Sequence, residues 1–181
     1  MGKAIVIGSS LAGMCVARVL VDYFDDVLIL ERDSIPETIE HRAGVPQSRH
    51  AHVLLARGQR ELDGFFPGFS EALRAAGAPH FDPGLHIATR REPGWQSVGP
   101  SDEKAFCCSR VLLEFTVRRL LRARHPSVRI QERTQVRGLL RNDHGMRAIR
   151  GVRVRTADKE QHDLHADLVI DASGRSSHAD R

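Results

Sequence analysis

Three small residues near the amino terminus have the spacing of a turn that holds a phosphate group. Gly8, Ser10 and Gly13 occupy the three fixed positions of the pattern GxGxxG within the segment GSSLAG. In that pattern the first glycine makes a tight turn, the second lets the backbone approach a pyrophosphate, and the third lets the following helix pack closely on the strand. Serine at the second position departs from the pattern, although its side chain is small enough to fit. The segment predicts a pyrophosphate-binding turn.

An acidic residue follows at the distance that this chemistry requires. Glu31 ends an apolar run and lies about twenty residues beyond the turn, where an acid accepts hydrogen bonds from the ribose hydroxyls of an adenosine. The alternative is that Gly8 and Gly13 form only a tight turn and that Glu31 is a solvated strand end. Because context and spacing agree, we expect the chain to bind the ADP half of a dinucleotide.

These residues need a strand, a helix and a second strand to position them. Residues 3–7 and 27–30 form short apolar runs, and residues 11–21 carry apolar side chains at helical spacing. This order within about thirty residues is a βαβ unit with a parallel strand pair. We therefore predict an α/β fold with a Rossmann-like unit and a parallel sheet.

The rest of the chain alternates between helical and extended patterns. Further helices are predicted at residues 51–65, 70–76 and 110–123. Ser109 is the expected N-cap of the last of these helices, and Glu114 is expected to complement its dipole. A strand, a three-stranded β-meander and a final strand are predicted at residues 128–130, 135–141, 146–156, 161–165 and 168–170. Prolines and glycines predict an extended connection at residues 33–47, and residues 79–101, which are rich in both, are expected to contain short extended pieces such as residues 85–89.

The composition is that of a folded domain. The 181 residues are 41% hydrophobic and 28% charged, close to the average for globular proteins. The net charge is +4. Almost all of the positive charge is carried by arginine, which suits contacts with phosphates or carboxylates, although codon usage in a GC-rich genome would give the same excess. Nucleic-acid binding is not predicted, because the single Trp, single Tyr and seven Phe do not cluster with basic residues.

Other classes of site find little support. The odd cysteine count, with Cys107 and Cys108 adjacent, argues against a disulfide framework and for a reducing compartment. The apolar run after Lys3 is interrupted by glycines and serines before it reaches the length of a membrane span. His50 and His52 lack a third ligand at a recognisable spacing. We expect a cytoplasmic protein with no membrane span and no metal site.

Several segments resemble one family, the FAD-dependent monooxygenases of the para-hydroxybenzoate hydroxylase type and their epoxidase-like and halogenase-like relatives. The segments are Glu31-Arg32, RAGVPQ at residues 42–47, SRVLLE at residues 109–114 and ADLVIDASGRSS at residues 166–177. The resemblance covers essentially the whole chain, so we expect one FAD/NAD(P)-binding Rossmann-like domain over residues 1–181 with FAD as the cofactor.

The resemblance implies roles for individual residues. Gly8, Ser10 and Gly13 would flank the pyrophosphate, and Glu31 would hold the adenosine ribose. Arg42 and Arg110 would offset phosphate charge, while Gly44 and Val45 would lie near the flavin. The remaining implied cofactor-binding residues are Arg32, Asp171 and Gly174. For Arg42 or Arg110 taken alone, a role in a surface ion pair explains the sequence equally well. No catalytic residue is implied, since the flavin carries the chemistry.

Two departures from the family pattern matter. Hydroxylases have an Asp-Gly pair where this chain has Ser173 and Gly174, with Asp171 two residues earlier. Direct use of NADPH is therefore in doubt, and an external flavin reductase is the other electron source to consider. No Gly-Asp dipeptide occurs in the sequence, whereas the family carries such a motif further along. We expect the N-terminal part of such an enzyme, with an incomplete substrate pocket and a complementing C-terminal chain as a candidate partner.

Three functional hypotheses stay open. The first is hydroxylation or epoxidation of a small-molecule substrate through a flavin hydroperoxide. The second is a flavoenzyme of the geranylgeranyl reductase or halogenase kind, suggested by the DASG form of residues 171–174. The third is a truncated dinucleotide-binding chain without turnover, so whether the chain is itself an enzyme is undecided at this point.

Overall fold

The computed structural model describes residues 2–41, 50–142, 148–174 and 177. The strands, in chain order, are β1 (Lys3–Ile7), β2 (Asp26–Leu30), β3 (Ala51–Leu54), β4 (His80–Phe81), β5 (Arg90–Arg91), β6 (Gly94–Trp95), β7 (Ala105–Ser109), β8 (Val128–Gln131), β9 (Gln135–Arg141), β10 (Ile149–Arg155), β11 (Gln161–His165) and β12 (Leu168–Asp171). The helices are α1 (Leu11–Leu20), α2 (Ala56–Phe65), α3 (Phe69–Ala75), α4 (Pro83–His86) and α5 (Arg110–Arg124).

A parallel sheet with the strand order β12-β1-β2-β8 forms the centre of the fold. Ala4, Ile5 and Val6 of β1 are fully buried, as expected for a parallel sheet that is covered on both faces. Ile7 at the end of β1 is in register with Leu30 of β2 and with Asp171 of β12. The carboxyl ends of these three strands therefore lie side by side at one edge of the sheet.

Helices cover one face of this sheet, and the meander covers the other. On the helical side, α1 contributes Met14 and Ala17 to the main core, and α5 contributes Val117 and Leu121. On the opposite side β9, β10 and β11 form an antiparallel sheet, whose side chains Val152 and Val154 pack with Ile5, Leu28 and Leu30 of the parallel sheet. Alternation of apolar and charged residues in β10 produces this arrangement, because alternate side chains of a strand point to opposite faces.

Most predicted elements are confirmed. The βαβ unit, the meander and the last strand occur within a few residues of their expected bounds. Ser109 caps α5 as predicted: its Oγ accepts a hydrogen bond from the N–H of Leu112 at 3.1 Å. Helix α5 ends at Arg124, directly before His125 and Pro126.

The predictions for residues 51–54 and for part of residues 79–101 were wrong. Residues 51–54 form strand β3, and the helix begins only at Ala56. Strand β3 pairs with β7, a strand that was not predicted, and Leu54 lies opposite Phe106. Pairing with a distant strand overrides the local helical spacing. Residues 83–86 form one helical turn, capped by the Asp82 carboxylate, which accepts from the Gly84 N–H at 2.8 Å.

Candidate cofactor site

The turn between β1 and α1 has the close backbone approach that its glycines predict. Gly8 has a φ of +98°, and its N–H donates to the Leu30 carbonyl at 2.8 Å. A Cβ at Gly8 would lie 2.9 Å from the Ala172 carbonyl oxygen, and a Cβ at Gly13 would lie 1.9 Å from the Gly8 carbonyl oxygen. Backbone therefore fills the space that side chains would need, and α1 starts tightly against the end of β1.

The amino terminus of α1 is open to an anion. Ser10 is the N-cap residue in an extended conformation, but its side chain makes no capping hydrogen bond to the helix. The first N–H groups of a helix lack partners within the helix, and the helix dipole places partial positive charge at this end. Uncapped helix starts of this kind bind phosphate groups.

An arginine from α5 stands beside this helix start. The Ser10 Oγ donates to Glu114 Oε1 at 2.9 Å and accepts from Arg110 Nη2 at 3.0 Å. Arg110 Nε donates to the same Glu114 oxygen at 2.9 Å. The Arg110 and Glu114 side chains are 17% and 8% exposed. A guanidinium group is thus held next to the glycine turn.

Glu114 has a different part from the one expected of it. It lies one turn beyond the start of α5 and is buried, so its carboxylate serves Arg110 and Ser10 rather than the dipole of the helix. Sequence reasoning missed this contact. The available signal was an acid four residues after an arginine, a spacing that places both on one side of a helix.

The Glu31 carboxylate joins the end of β2 to the glycine turn. Its Oε2 accepts from the N–H and the Oγ of Ser9 at 3.0 and 2.6 Å, and its Oε1 accepts from the Asp33 N–H at 3.1 Å. Glu31 is 6% exposed. A carboxylate has about four acceptor positions, so one acid can serve the turn and several donors at once. Ser9 is a second residue that sequence reasoning missed.

The turn after β12 lies against the glycine turn. The Ala172 N–H donates to the Ile7 carbonyl at 2.9 Å. The Asp171 carboxylate accepts from the N–H and Oγ of Ser173 at 2.8 and 2.5 Å, and from the Ser177 Oγ at 2.6 Å. Gly174 has a φ of +67°, a conformation that suits glycine. The structure thus brings Asp171 and Gly174 to the same sheet edge as Gly8.

Of the remaining residues predicted to bind the cofactor, the structure describes only Arg32. The Arg32 side chain is 47% exposed, with its Nε 3.8 Å from a carboxylate oxygen of Asp33, the geometry of a weak surface ion pair. Arg42, Gly44 and Val45 lie outside the described residues.

Electrostatics links Arg110 to the interior of α1. Burial raises the pKa of the Cys15 thiol to about 11, while the positive charge of Arg110 acts in the opposite direction and lowers it. The positive charge of Arg110 therefore affects a thiol that lies one turn beyond the start of α1.

The described part of the chain contains no group of three or more His, Cys, Asp or Glu side chains placed to hold a metal ion. Within the same residues, no helix is long and apolar enough to cross a membrane.

The residues at the sheet edge fit a dinucleotide. Gly8 and Gly13 let backbone pack closely at the turn, the α1 start lacks a side-chain cap, and Arg110 is a cation partly shielded from solvent. These features suit a pyrophosphate, and the Glu31 carboxylate on the next strand suits a ribose.

Comparison with known proteins agrees with this geometry. A family model described as FAD binding domain matches residues 2–181. Protein Rv3254 of Mycobacterium tuberculosis is 35% identical over 189 residues, which cover 96% of this chain and 38% of that protein.

Two solved structures share the fold. The myxobacterial FAD-dependent halogenase CndH has a TM-score of 0.69 and 22% identity, with 98% of this chain and 38% of that chain covered. The p-nitrophenol 4-monooxygenase PnpA of Pseudomonas putida has a TM-score of 0.70 and 17% identity, with 98% and 42% covered. The chain thus spans about two fifths of the length of the proteins it matches. On the match over residues 2–181, the chain belongs to the FAD binding domain family, and its cofactor is FAD.

Proposed function

We propose that this chain holds the ADP half of FAD in a flavin-dependent oxidoreductase that oxidises a small molecule. The observation that carries the proposal is the convergence at one sheet edge of an uncapped helix start, Arg110 and Glu31. The matched fold in a FAD-dependent halogenase and in a p-nitrophenol 4-monooxygenase supports a monooxygenase-like activity for the whole protein. The reductase-like alternative, suggested by the DASG form of residues 171–174, is supported by neither of these two matched structures.

Each residue has a specific part in this proposal. The first N–H groups of α1 and the Arg110 guanidinium bind the pyrophosphate, the Glu31 carboxylate accepts from the adenosine ribose, and Gly8 and Gly13 allow the tight backbone packing that places the α1 start against the end of β1. Bound FAD supplies the redox chemistry, and the chain binds and orients it. Arg32, Arg42, Gly44 and Val45 retain cofactor roles by resemblance alone.

The turn after β12 supports the use of an electron donor other than direct NADPH. Ser173 stands where hydroxylases have an acid, and its Oγ donates to Asp171 at 2.5 Å. Its hydroxyl is therefore engaged inside its own turn. An external flavin reductase is the electron source we propose. We also propose that the protein is cytoplasmic and that a second chain complements it.

Calorimetric titration of the chain with ADP tests the central claim, with FAD as a competitor. We expect saturable binding with one ADP per chain, and loss of the ADP signal when FAD is added first. Arg110→Ala should weaken ADP binding at least tenfold, the size expected for a hydrogen bond to a charged group.

Arg57→Ala is the matched control for this titration. Arg57 belongs to an exposed ion pair with Glu61 on α2, with the same four-residue spacing as the pair formed by Arg110, and its loss should leave ADP affinity unchanged. Absence of saturable binding of either ADP or FAD to the wild-type chain would contradict the proposed function.

A further inference from the structure

Ser10, Arg110 and Glu114 form a closed triangle of hydrogen bonds. We propose that Glu114 is a positioning residue, which holds Arg110 and Ser10 together so that the guanidinium group is ready for the pyrophosphate. Ser10, at the second position of the glycine pattern, then contributes to the site, because its hydrogen bonds join the turn to α5. The inference rests on the proposed function and gives a part to a residue that the glycine pattern does not contain.

The triangle restrains Arg110 more than a single ion pair would. Glu114 Oε1 receives both the Ser10 hydroxyl and the Arg110 Nε–H, and the third side joins Arg110 Nη2 to Ser10 Oγ at 3.0 Å. Two bonds from different nitrogens fix the plane of the guanidinium as well as its position. An arginine side chain loses much rotational freedom when it is immobilised, and a site that has already restrained it binds its ligand more tightly.

The restraint leaves donors for an anion. A guanidinium has five N–H groups, and the bonds to Glu114 and Ser10 use the Nε–H and one Nη2–H. Three N–H groups of Arg110 therefore have no partner among the described residues.

The charge of Glu114 and its role in positioning Arg110 should have opposite effects on phosphate binding, so the two can be distinguished by experiment. Glu114 is buried, so it compensates the Arg110 charge where solvent cannot. Its negative charge also repels a phosphate. If position dominates, removing the side chain weakens phosphate binding; if charge dominates, removal strengthens it.

The experiment compares Glu114→Ala with Glu114→Gln, using ADP and adenosine as calorimetric probes. We expect Glu114→Ala to weaken ADP binding about tenfold and to leave adenosine binding unchanged, because adenosine has no phosphate. Glu114→Gln should recover most of the ADP affinity, since an amide Oε1 can accept both bonds that the carboxylate Oε1 accepts.

A double substitution asks whether Glu114 acts through Arg110. In the Arg110→Ala background, adding Glu114→Ala should cause no further loss of ADP affinity, which is the non-additivity expected of residues that share one interaction. Ser10→Ala removes the hydrogen bonds from Ser10 to Glu114 and Arg110 while leaving the Glu114 side chain in place. It should weaken ADP binding several-fold. This variant keeps the inference testable if Glu114→Ala folds poorly, and Glu61→Ala in the exposed pair with Arg57 is the matched control.

The outcomes separate the inference from the function on which it rests. Wild-type ADP binding together with unchanged or tighter binding by Glu114→Ala would overturn the inference alone. Equal losses for ADP and adenosine would overturn it as well, because the effect would then not concern the phosphate, and so would a Glu114→Gln variant no better than Glu114→Ala. Failure of the wild-type chain to bind ADP would overturn the proposed function and the inference together.

Discussion

Two turns meet at the carboxyl edge of the parallel sheet, and they are built in different ways. The turn after β1 depends on backbone contact at Gly8 and Gly13, and its polar side chains are tied to acids from other elements, Glu31 and Glu114. The turn after β12 is closed by Asp171 of its own strand, which accepts from serines a few residues further along.

This difference indicates which turn is organised for a ligand. Acids drawn from distant elements hold the first turn with its helix start uncapped and a cation beside it. The acid of the second turn accepts from N–H and hydroxyl groups of that same turn. We therefore expect substitutions in the first turn to alter both stability and nucleotide binding, and substitutions in the second to have mainly local effects.

The largest expected effect is that of Gly13→Ala. The added methyl group would lie 1.9 Å from the Gly8 carbonyl oxygen, and neither the helix nor the strand can move without disturbing the core. We expect the free energy of unfolding to fall by about 3 kcal/mol or more, measured by urea denaturation, with loss of ADP binding.

Gly64→Ala is the control for this prediction. Gly64 lies in α2, and a Cβ added there would have no neighbouring atom within 4 Å, so alanine should be neutral or stabilising by about 0.5 kcal/mol. If Gly13→Ala were as stable as Gly64→Ala, the glycine turn would not have the tight packing on which the comparison rests.

The second prediction concerns Glu31→Ala. Adenosine and ADP should both bind more weakly, by about 1.5–3 kcal/mol, the contribution of a hydrogen bond to a charged group. Calorimetry with the two ligands checks this, with urea denaturation alongside it; equal losses in a variant that keeps its fold identify the ribose as the group concerned. Asp82→Ala is a control, because Asp82 is also a buried carboxylate that accepts backbone N–H groups. It should lower stability without changing nucleotide affinity. Unchanged affinity in Glu31→Ala would remove the ribose assignment.

A smaller effect is expected for Asp171→Ala. The Ser173 N–H and the hydroxyls of Ser173 and Ser177 would lose their shared acceptor, and stability should fall by about 1 kcal/mol. ADP affinity should change by no more than about twofold. A loss of ADP binding as large as that of Glu31→Ala would show that the two turns act as one unit, which would break the comparison.

The smallest effect should appear at Cys15, which lies in α1 behind the first turn. Its pKa is raised from 9.0 to about 11 by burial, with Arg110 acting to lower it. Since the thiolate is the reactive form, the alkylation rate of the folded chain should increase with pH and be half of its maximum at a pH of about 11. Arg110→Ala should move that midpoint upward, and mass spectrometry of Cys15 alkylated over a pH series measures it. An unchanged midpoint would show that the charge of Arg110 does not affect Cys15.

Local patterns were enough to predict much of the fold. The βαβ unit and the meander follow from apolar spacing and turn residues within short stretches, and α5 follows from its Ser109 cap. Strand β3 was missed because what makes residues 51–54 extended is pairing with β7, about fifty residues away. Strand β7 was missed for the same reason: its partner is distant in sequence, and its short apolar run carries no turn signal.

For the site, the sequence by itself determined the glycine turn and placed Glu31 at the end of the second strand, because both depend on spacing within one βαβ unit. Only the tertiary structure decided what these groups touch. Ser10 and Glu114 are 104 residues apart in the chain, and they meet because α1 and α5 pack on the same face of the sheet. The Glu31 contact with Ser9 likewise requires β1 and β2 to be paired in register. Such contacts depend on how strands and helices are arranged in space, which residue spacing along the chain does not encode.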